Sequence, residues 1–351
     1  RTPHSREKRM AETTTQTKQV EVFDASNGAR IFRLPLEVFP AYIGYAHLVQ
    51  HGDRLTLVDV GSGYGNSHAD LLAGLEQVRE AHGVDARLDR IDRIIITHGH
   101  IDHFGGLMRV KEAAPQAEVG LHRLAKPVLV SYDERVLVTR TAVEDFLRRA
   151  GVPPERLPGL LEMYMLGKRE FKPVPVDFTF GDGDVIDDTF RVIHMPGHAP
   201  GLVMLLVGDV LLTADHVLPH TSVALAPESI MPYTGIGHYI ESLEKALAVE
   251  GVRLALGGHE EPVEDYYGMV RRTLDGARGR VELVYEHCDE PRTIYEIALR
   301  IYDSLDGYSE LLKVEQTGAR VEYLHQRGRL AIDNLDSLEE EHSPPHRFRQ
   351  V

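Results

Sequence analysis

The chain has 351 residues, 42% of them hydrophobic, a formal net charge of −15 at pH 7 and one cysteine, Cys288. That length accommodates one large domain with an appendage, or two domains. The acidity repels phosphate backbones unless a local basic patch overrides it, and a lone cysteine excludes an internal disulfide and any cysteine-rich metal site.

No stretch reaches the roughly 18 apolar residues of a membrane-spanning helix. The opening segment RTPHSREKRMAETTTQTKQV is basic, then polar, and lacks the apolar centre of a secretory signal. Residues 1–18 are expected to be disordered, and the protein cytoplasmic. AHLVQHGDRLTLVDVGSGYG (46–65) reads as two strands joined at His51-Gly52-Asp53, ending in Asp59 and a glycine-rich loop. SHADLLAGLEQVREAHG has helical periodicity, with Ser67 as a cap and Gly83 as a stop. DRIIIT is a short apolar run of buried-strand type, and LMRVKEAAP the helix after it. Residues from about 123 to 172 form a helical insertion, with AVEDFLRRAG and PGLLEMYMLGKREF as its helices. Strands resume at FRVIHM and continue through LVMLLVGDVLLTAD, where Gly208-Asp209 marks a hairpin. YIESLEKALAVEG reads as a helix and VRLALGGHEEP as a strand ending in a loop. From about Met269 the pattern is mainly helical, with Thr293 as an N-cap. Residues 336–351 are polar, proline-containing and expected to fray.

The stretch RIIITHGHIDHFGG places His98, His100, Asp102 and His103 within six positions, directly after an apolar strand. Neutral imidazoles and carboxylates are good ligands for zinc and other first-row divalent metals. The same design recurs three times. VIHMPGHAPG ends a strand with His198, VLLTADHVLP ends one with Asp215, and RLALGGHEEP ends one with His259. Four strands with ligands at corresponding ends suggest one rim of a sheet sandwich. Seven ligands suffice for two metals sharing a carboxylate.

LVDVGSG (57–63), THGHIDHFGG (97–106), MPGHAPG (195–201), TADHVLP (213–219) and GGHEEP (257–262) resemble, in their order, the motifs of the metallo-β-lactamase-fold hydrolases. The resemblance spans about residues 46–262. It implies an α+β fold, a four-layer αβ/βα sandwich with metals at one edge. By the same resemblance His98, His100 and His198 would hold one metal, Asp102, His103 and His259 a second, and Asp215 would bridge them. Asp59 would orient a ligand. Asp102 would also hold a hydroxide or carry its proton. The cofactors implied are two divalent ions, zinc foremost, with iron or manganese as alternatives. Secreted zinc β-lactamases of the three-histidine-plus-cysteine kind would carry Cys where Asp215 stands. The oxygen-reducing diiron branch would carry Glu at position 100, so a hydrolytic site is the expectation. No G-x-S-x-G elbow argues for a serine hydrolase.

Four further residues are candidates for substrate contact: His216 and His220 after Asp215, and Tyr132 and Tyr164 in the insertion, whose helices either pack as core or form a lid. His194 and Tyr239 read as packing residues. The segment 269–335 reads as a helical C-terminal domain, and VEQTGARVEYLHQRG followed by RLAI resembles the last helix and wing of a winged helix. A tail of that kind occurs in a superfamily branch that includes proteins described as ribonucleases. From Arg271 to Val351, however, 12 basic residues face 16 acidic ones, a net −4. The domain expectation is therefore 19–268 for the metal-binding sandwich, then 269–335, then the tail. The functional expectation is hydrolysis of a small-molecule ester, thioester, lactone or related bond, with a small-molecule substrate expected rather than nucleic acid, no membrane, and a homodimer left open. The alternatives are a metal-dependent ribonuclease or phosphodiesterase, a mononuclear iron persulfide dioxygenase, and a non-catalytic binding scaffold.

Overall fold

The computed structural model describes residues 18–166, 168, 171–339 and 344–351; the expected disorder of residues 1–17 lies outside these. Its first sheet follows the chain: β1 (Glu21–Asp24), β2 (Arg30–Phe39), β3 (Tyr42–His51), β4 (Arg54–Val58), β5 (Arg93–Ile96), β6 (Glu118–His122) and β7 (Phe178–Phe180). β1 to β4 pair antiparallel and β4 to β7 parallel. The second sheet contains β8 (Val185–Ile186), β9 (Phe190–His194), β10 (Val203–Val207), β11 (Val210–Ala214) and β12 (Leu254–Gly257), with only β11 and β12 parallel.

Side-chain alternation explains how these strands stack. In β2, Phe32, Leu34 and Leu36 point one way and Ile31 the other; in β5, Ile94 and Ile96 oppose Ile95. In the second sheet Val203, Leu205 and Leu212 meet Ile31, Val58 and Ile95 between the sheets, while Met204 and Leu211 face outward onto helices. Both faces of each sheet are thus buried, which is why the strands read as continuous apolar runs. The first sheet is covered by α1 (Ser67–His82) and, past the single turn α2 (Ile101–Phe104), by α3 (Leu107–Ala113). α1 begins at Ser67 itself, whose Oγ accepts from Ser62 N; it ends, as expected, at Gly83 with φ 67°.

The insertion between β6 and β7 contains α4 (Lys126–Val130), α5 (Tyr132–Arg149) and α6 (Leu157–Met165). The second sheet is covered by α7 (Ile236–Leu247) and α8 (Tyr266–Glu286), followed by α9 (Ile294–Ile301) and α10 (Gly307–Gln326). α5 and α6 share one core with these helices: Phe146, Leu147 and Leu161 pack with Ile297, Leu311 and Val314. Arg156 ties α6 to the buried Glu310 at 2.6 Å, and Tyr295 donates to the same carboxylate at 3.1 Å. Insertion and C-terminal helices therefore make one body with the second sheet. Thr293 caps α9 through a full capping box with Glu296.

Among the described residues, part of the segment 336–351, expected to fray, is paired and packed. β13 (Leu330–Ile332) pairs antiparallel with β14 (Phe348–Gln350), and Phe348 is buried. The apolar Phe348 and backbone pairing of Arg292 with Phe348 hold it against α8–α10, a long-range effect that local composition hides. Among the described residues no helix is long and apolar enough to cross a membrane.

Candidate metal centre

β4, β5, β9, β11 and β12 all deliver their C-terminal ends to one rim, carrying Asp59, His98, His198, Asp215 and His259. His100 has an extended backbone (φ −91°, ψ 145°) at the start of α2, and Asp102 and His103 sit on that single turn. Strained backbone marks three flanking positions: Asp59, Ala214 and Glu260 have φ of 60°, 46° and 61°. Two glycines permit close approach. A Cβ on Gly258 would stand 2.5 Å from Asp215 Oδ1, and one on Gly197 (φ 127°) would stand 2.6 Å from the Tyr239 backbone.

Two groups of potential ligand atoms result, each within 4.8 Å: His98, His100 and His198, and Asp102, His103, Asp215 and His259. Asp215 lies between them. Its Oδ2 is 4.0 Å from His98 Nε2, 3.8 Å from His198 Nε2 and 3.5 Å from His259 Nε2; its Oδ1 is 3.3 Å from His103 Nε2. Asp102 Oδ2 accepts from His259 Nε2 at 3.1 Å.

The outer ring nitrogens are held by acceptors. His198 Nδ1 donates to Ala224 O (2.7 Å), His259 Nδ1 to Ile43 O (2.8 Å) and His103 Nδ1 to Asp59 Oδ2 (2.8 Å). Asp59 also accepts from Thr97 N and Thr97 Oγ1, both at 2.8 Å, and His98 Nδ1 donates to Thr97 Oγ1 at 3.1 Å. Each such bond fixes ring orientation and turns the other nitrogen toward the centre. There His103 Nε2, His198 Nε2 and Asp215 Oδ1 are buried without a hydrogen-bond partner, and His98 Nε2 faces His100 Nδ1 at 3.2 Å. Converging imidazole nitrogens and carboxylate oxygens of this kind, the rings neutral, fit divalent cations.

Electrostatically the two groups differ. Burial pushes His98 well below the usual imidazole range and His100 to about 3, with neighbouring imidazoles adding to it; burial also lowers His198. Burial opposes charge on His103 as well, but Asp215, Asp59 and Asp102 outweigh it and hold the ring well above the usual range. The carboxylates Asp102 and Asp215 likewise overcome burial at His259 and raise it to about 10. In return His103 and His259 hold Asp215 well below the ordinary carboxylate range, against burial. Without metal, protons on His103 and His259 balance the carboxylates.

The structure thus brings together all seven sequence-derived ligand candidates, with Asp59 behind His103. It does not bring His216 or Tyr132 to an open face. His216 is fully buried, edge-on to the Tyr239 ring at 4.9 Å, and Tyr132 is enclosed by Phe104 and Phe171. Aromatic packing accounts for both. His220 is exposed and paired with Glu261, and Tyr164 lies half-buried under the Lys168 ammonium. His194 donates from Nε2 to Pro200 O and stacks on His122; Tyr239 OH donates to His216 O. Sequence reasoning missed Tyr42, whose ring lies 4.5 Å from that of His259 and is 41% exposed. It also missed Thr97 and Gly258. Thr97 stands inside the quoted motif and could have been found; Tyr42 is 217 positions from the ring it covers.

A family model described as the metallo-beta-lactamase superfamily matches residues 40–259. The chain is 24% identical over 285 residues to the probable metallo-hydrolase YqjP of Bacillus subtilis, covering 78% of this chain and 85% of that protein. It is 27% identical over 220 residues to the metallo-beta-lactamase fold-containing protein ST1585 of Sulfurisphaera tokodaii, covering 61% and 73%. Among solved structures, the metallo-beta-lactamase family protein TTHA1429 of Thermus thermophilus superposes with a TM-score of 0.73 at 22% identity, covering 92% of this chain and 98% of that one. A beta-lactamase domain protein of Burkholderia ambifaria gives 0.72 at 21%, covering 97% and 96%. The shared fold therefore extends through the C-terminal helices.

Proposed function

Because the chain belongs to the metallo-beta-lactamase superfamily, and is a metallo-hydrolase of it, we propose a two-metal centre that hydrolyses an ester, thioester, lactone or related small-molecule bond. The observation that carries this reading is Asp215, whose carboxylate lies within 4.0 Å of His98 and His198 on one side and of His103 and His259 on the other. His98, His100 and His198 would hold one ion and Asp102, His103 and His259 the other, with Asp215 shared. Zinc heads the candidates for such a nitrogen and oxygen set, and iron or manganese accept the same donors. The ions supply an acidified water as nucleophile at neutral pH and polarise the substrate oxygen.

The chain's own residues do the rest. Asp59 and the carbonyls of Ala224 and Ile43 keep His103, His198 and His259 in one tautomer, so that the site is ordered before substrate arrives. Asp102, its Oδ2 turned toward the cluster, accepts the proton of the attacking water. Tyr42 presents an aromatic wall at the His259 edge, suited to a partly apolar acyl group. The acidic surface, net −15 overall, disfavours a polynucleotide substrate, whose binding needs several cationic contacts.

Elemental analysis of protein purified without chelator, joined to a screen of thioesters, lactones and phosphodiesters, tests the proposal. Two ions per chain with acyl-bond hydrolysis are expected. About one iron with dioxygen uptake on a persulfide would overturn it, as would salt-sensitive RNA binding with cleavage and no acyl hydrolysis.

A further inference from the structure

The loop that carries His259 leaves the second sheet, yet the first sheet holds three consecutive residues of it. Gly258 O accepts from Tyr45 N at 2.8 Å, and His259 Nδ1 donates to Ile43 O at 2.8 Å. Glu260 O accepts from Nη2 of Arg33, a residue of β2. Arg33 is 1% exposed. Its Nη1 donates to Glu21 Oε2 on β1 at 2.8 Å, and its guanidinium carbon lies 3.3 Å from the centre of the Tyr45 ring. A guanidinium kept from water needs its donors matched, and its rigid fork fixes two partners at once.

Glu260 needs such a hold. Its φ of 61° lies in the left-handed region, which a residue with a side chain rarely adopts unless its surroundings impose it. In that turn the Glu260 carbonyl meets Arg33, while the carboxylate meets the loop after Asp215. Oε2 accepts from His220 N at 2.7 Å, and Oε1 accepts from Thr221 Oγ1. Three residues further on, Ala224 O holds His198 Nδ1 at 2.7 Å. Glu260 therefore links the two ligand groups. It follows His259 directly, and its carboxylate anchors the segment whose carbonyl orients His198.

We infer that Arg33 is a positioning residue for both halves of the metal centre: its bond to Glu260 O locks the turn after His259, and the locked turn fixes the loop that orients His198. This rests on the two-metal hydrolytic reading and adds the device that holds the two halves in register. Glu21, partly exposed, balances the guanidinium charge. The bond to the Glu260 carbonyl is what reaches the metal centre.

Three variants separate positioning from simple packing. Arg33→Met keeps an apolar stem over the Tyr45 ring and removes the donor to Glu260 O. Glu21→Gln removes the opposing charge and leaves that donor in place. Glu260→Asn suits the left-handed turn and loses the carboxylate. One readout is zinc affinity by chelator competition. The other is the pair of imidazole Nδ1–H proton resonances of His198 and His259, recorded by NMR in chelator, which needs neither metal nor turnover. Arg33→Met is expected to weaken zinc binding about tenfold or more and to lose both resonances. Glu260→Asn is expected to lose that of His198 and keep that of His259. Glu21→Gln should match the native chain in both readouts, with only its melting temperature lowered. Both resonances retained in Arg33→Met, or zinc held as tightly as before, would overturn the inference. So would Glu21→Gln reproducing the losses of Arg33→Met, since the ion pair alone would then account for them. Should Arg33→Met fail to fold, Glu260→Asn decides: a retained His198 resonance overturns the strap. If the native chain cleaves no acyl bond while the variants lose the resonances as expected, the hydrolytic reading fails and the positioning role stands.

Discussion

Replacing Asp59 by Asn changes one atom and should empty half of the metal centre. The Asp59 carboxylate accepts three hydrogen bonds, from Thr97 N on Oδ1 and from Thr97 Oγ1 and His103 Nδ1 on Oδ2, all at 2.8 Å. Asn keeps the first. With an amide nitrogen in place of Oδ2, a donor faces two donors. The threonine hydroxyl can rotate, but His103 Nδ1 must lose its proton to accept. That proton then moves to Nε2, the atom 3.3 Å from Asp215 Oδ1 that should coordinate metal. Losing such an orienting partner typically weakens metal binding 10- to 100-fold, which corresponds to about 1.4–2.8 kcal/mol. The backbone should tolerate the change, because Asp59 has φ 60° and Asn adopts that region readily. Chelator competition and elemental analysis after dialysis should find one ion held as before and one released, with the circular-dichroism melt shifted by only a few degrees. Two ions bound with unchanged affinity in Asp59→Asn would refute the argument that this carboxylate sets the His103 tautomer.

Asp215→Ala should lower the content of both ions and nearly abolish turnover, since one side chain serves both ligand groups; loss of a single ion, seen by elemental analysis, would contradict its shared position. Gly258→Ala adds a methyl 2.5 Å from Asp215 Oδ1 and 2.7 Å from His103 Cε1, so kcat should fall at least tenfold with the fold intact, as judged by its near-native melt. In chelator, thermal stability should peak near pH 6–7. His103 and His259 have raised folded values, so their contribution is complete below the unfolded value near 6.5 and is lost as pH rises through the folded ones, about 10 for His259. His98, His100 and His198 have lowered ones, so theirs is lost as pH falls below about 6.5 through the folded ones, about 3 for His100. A flat calorimetric profile between pH 4.5 and 9.5 would count against both assignments. Thr293→Ala removes the oxygen that caps α9 and should cost about 1 kcal/mol in urea unfolding, without changing metal content.

The ligand candidates were legible in the sequence because each follows an apolar strand, and a strand's end fixes where its loop begins. Short continuous apolar runs marked β5 and β11 as buried strands, and the glycine after α1 marked its stop; these are local rules that act within a few residues. β1 and β2 gave no such clear signal, yet they complete the first sheet and bring Tyr42 over His259. The tail looked frayed because local composition governs a reading of the end, whereas Phe348 finds its core among α8–α10 only once those helices assemble. His216 and His220, adjacent to or near Asp215, were indistinguishable as polar residues after a ligand. Packing sent one against Tyr239 and the other into solvent. The sequence by itself determined which residue types could bind metal and on which strand ends they stand, since those depend on spacing along the chain. Only the tertiary structure decided that Asp215 faces both groups, that Asp59 rather than solvent holds His103, and that Glu310 of α10 pairs with Arg156 at the start of α6. Those relations join residues tens to hundreds of positions apart, and burial between the packed layers gives them their strength.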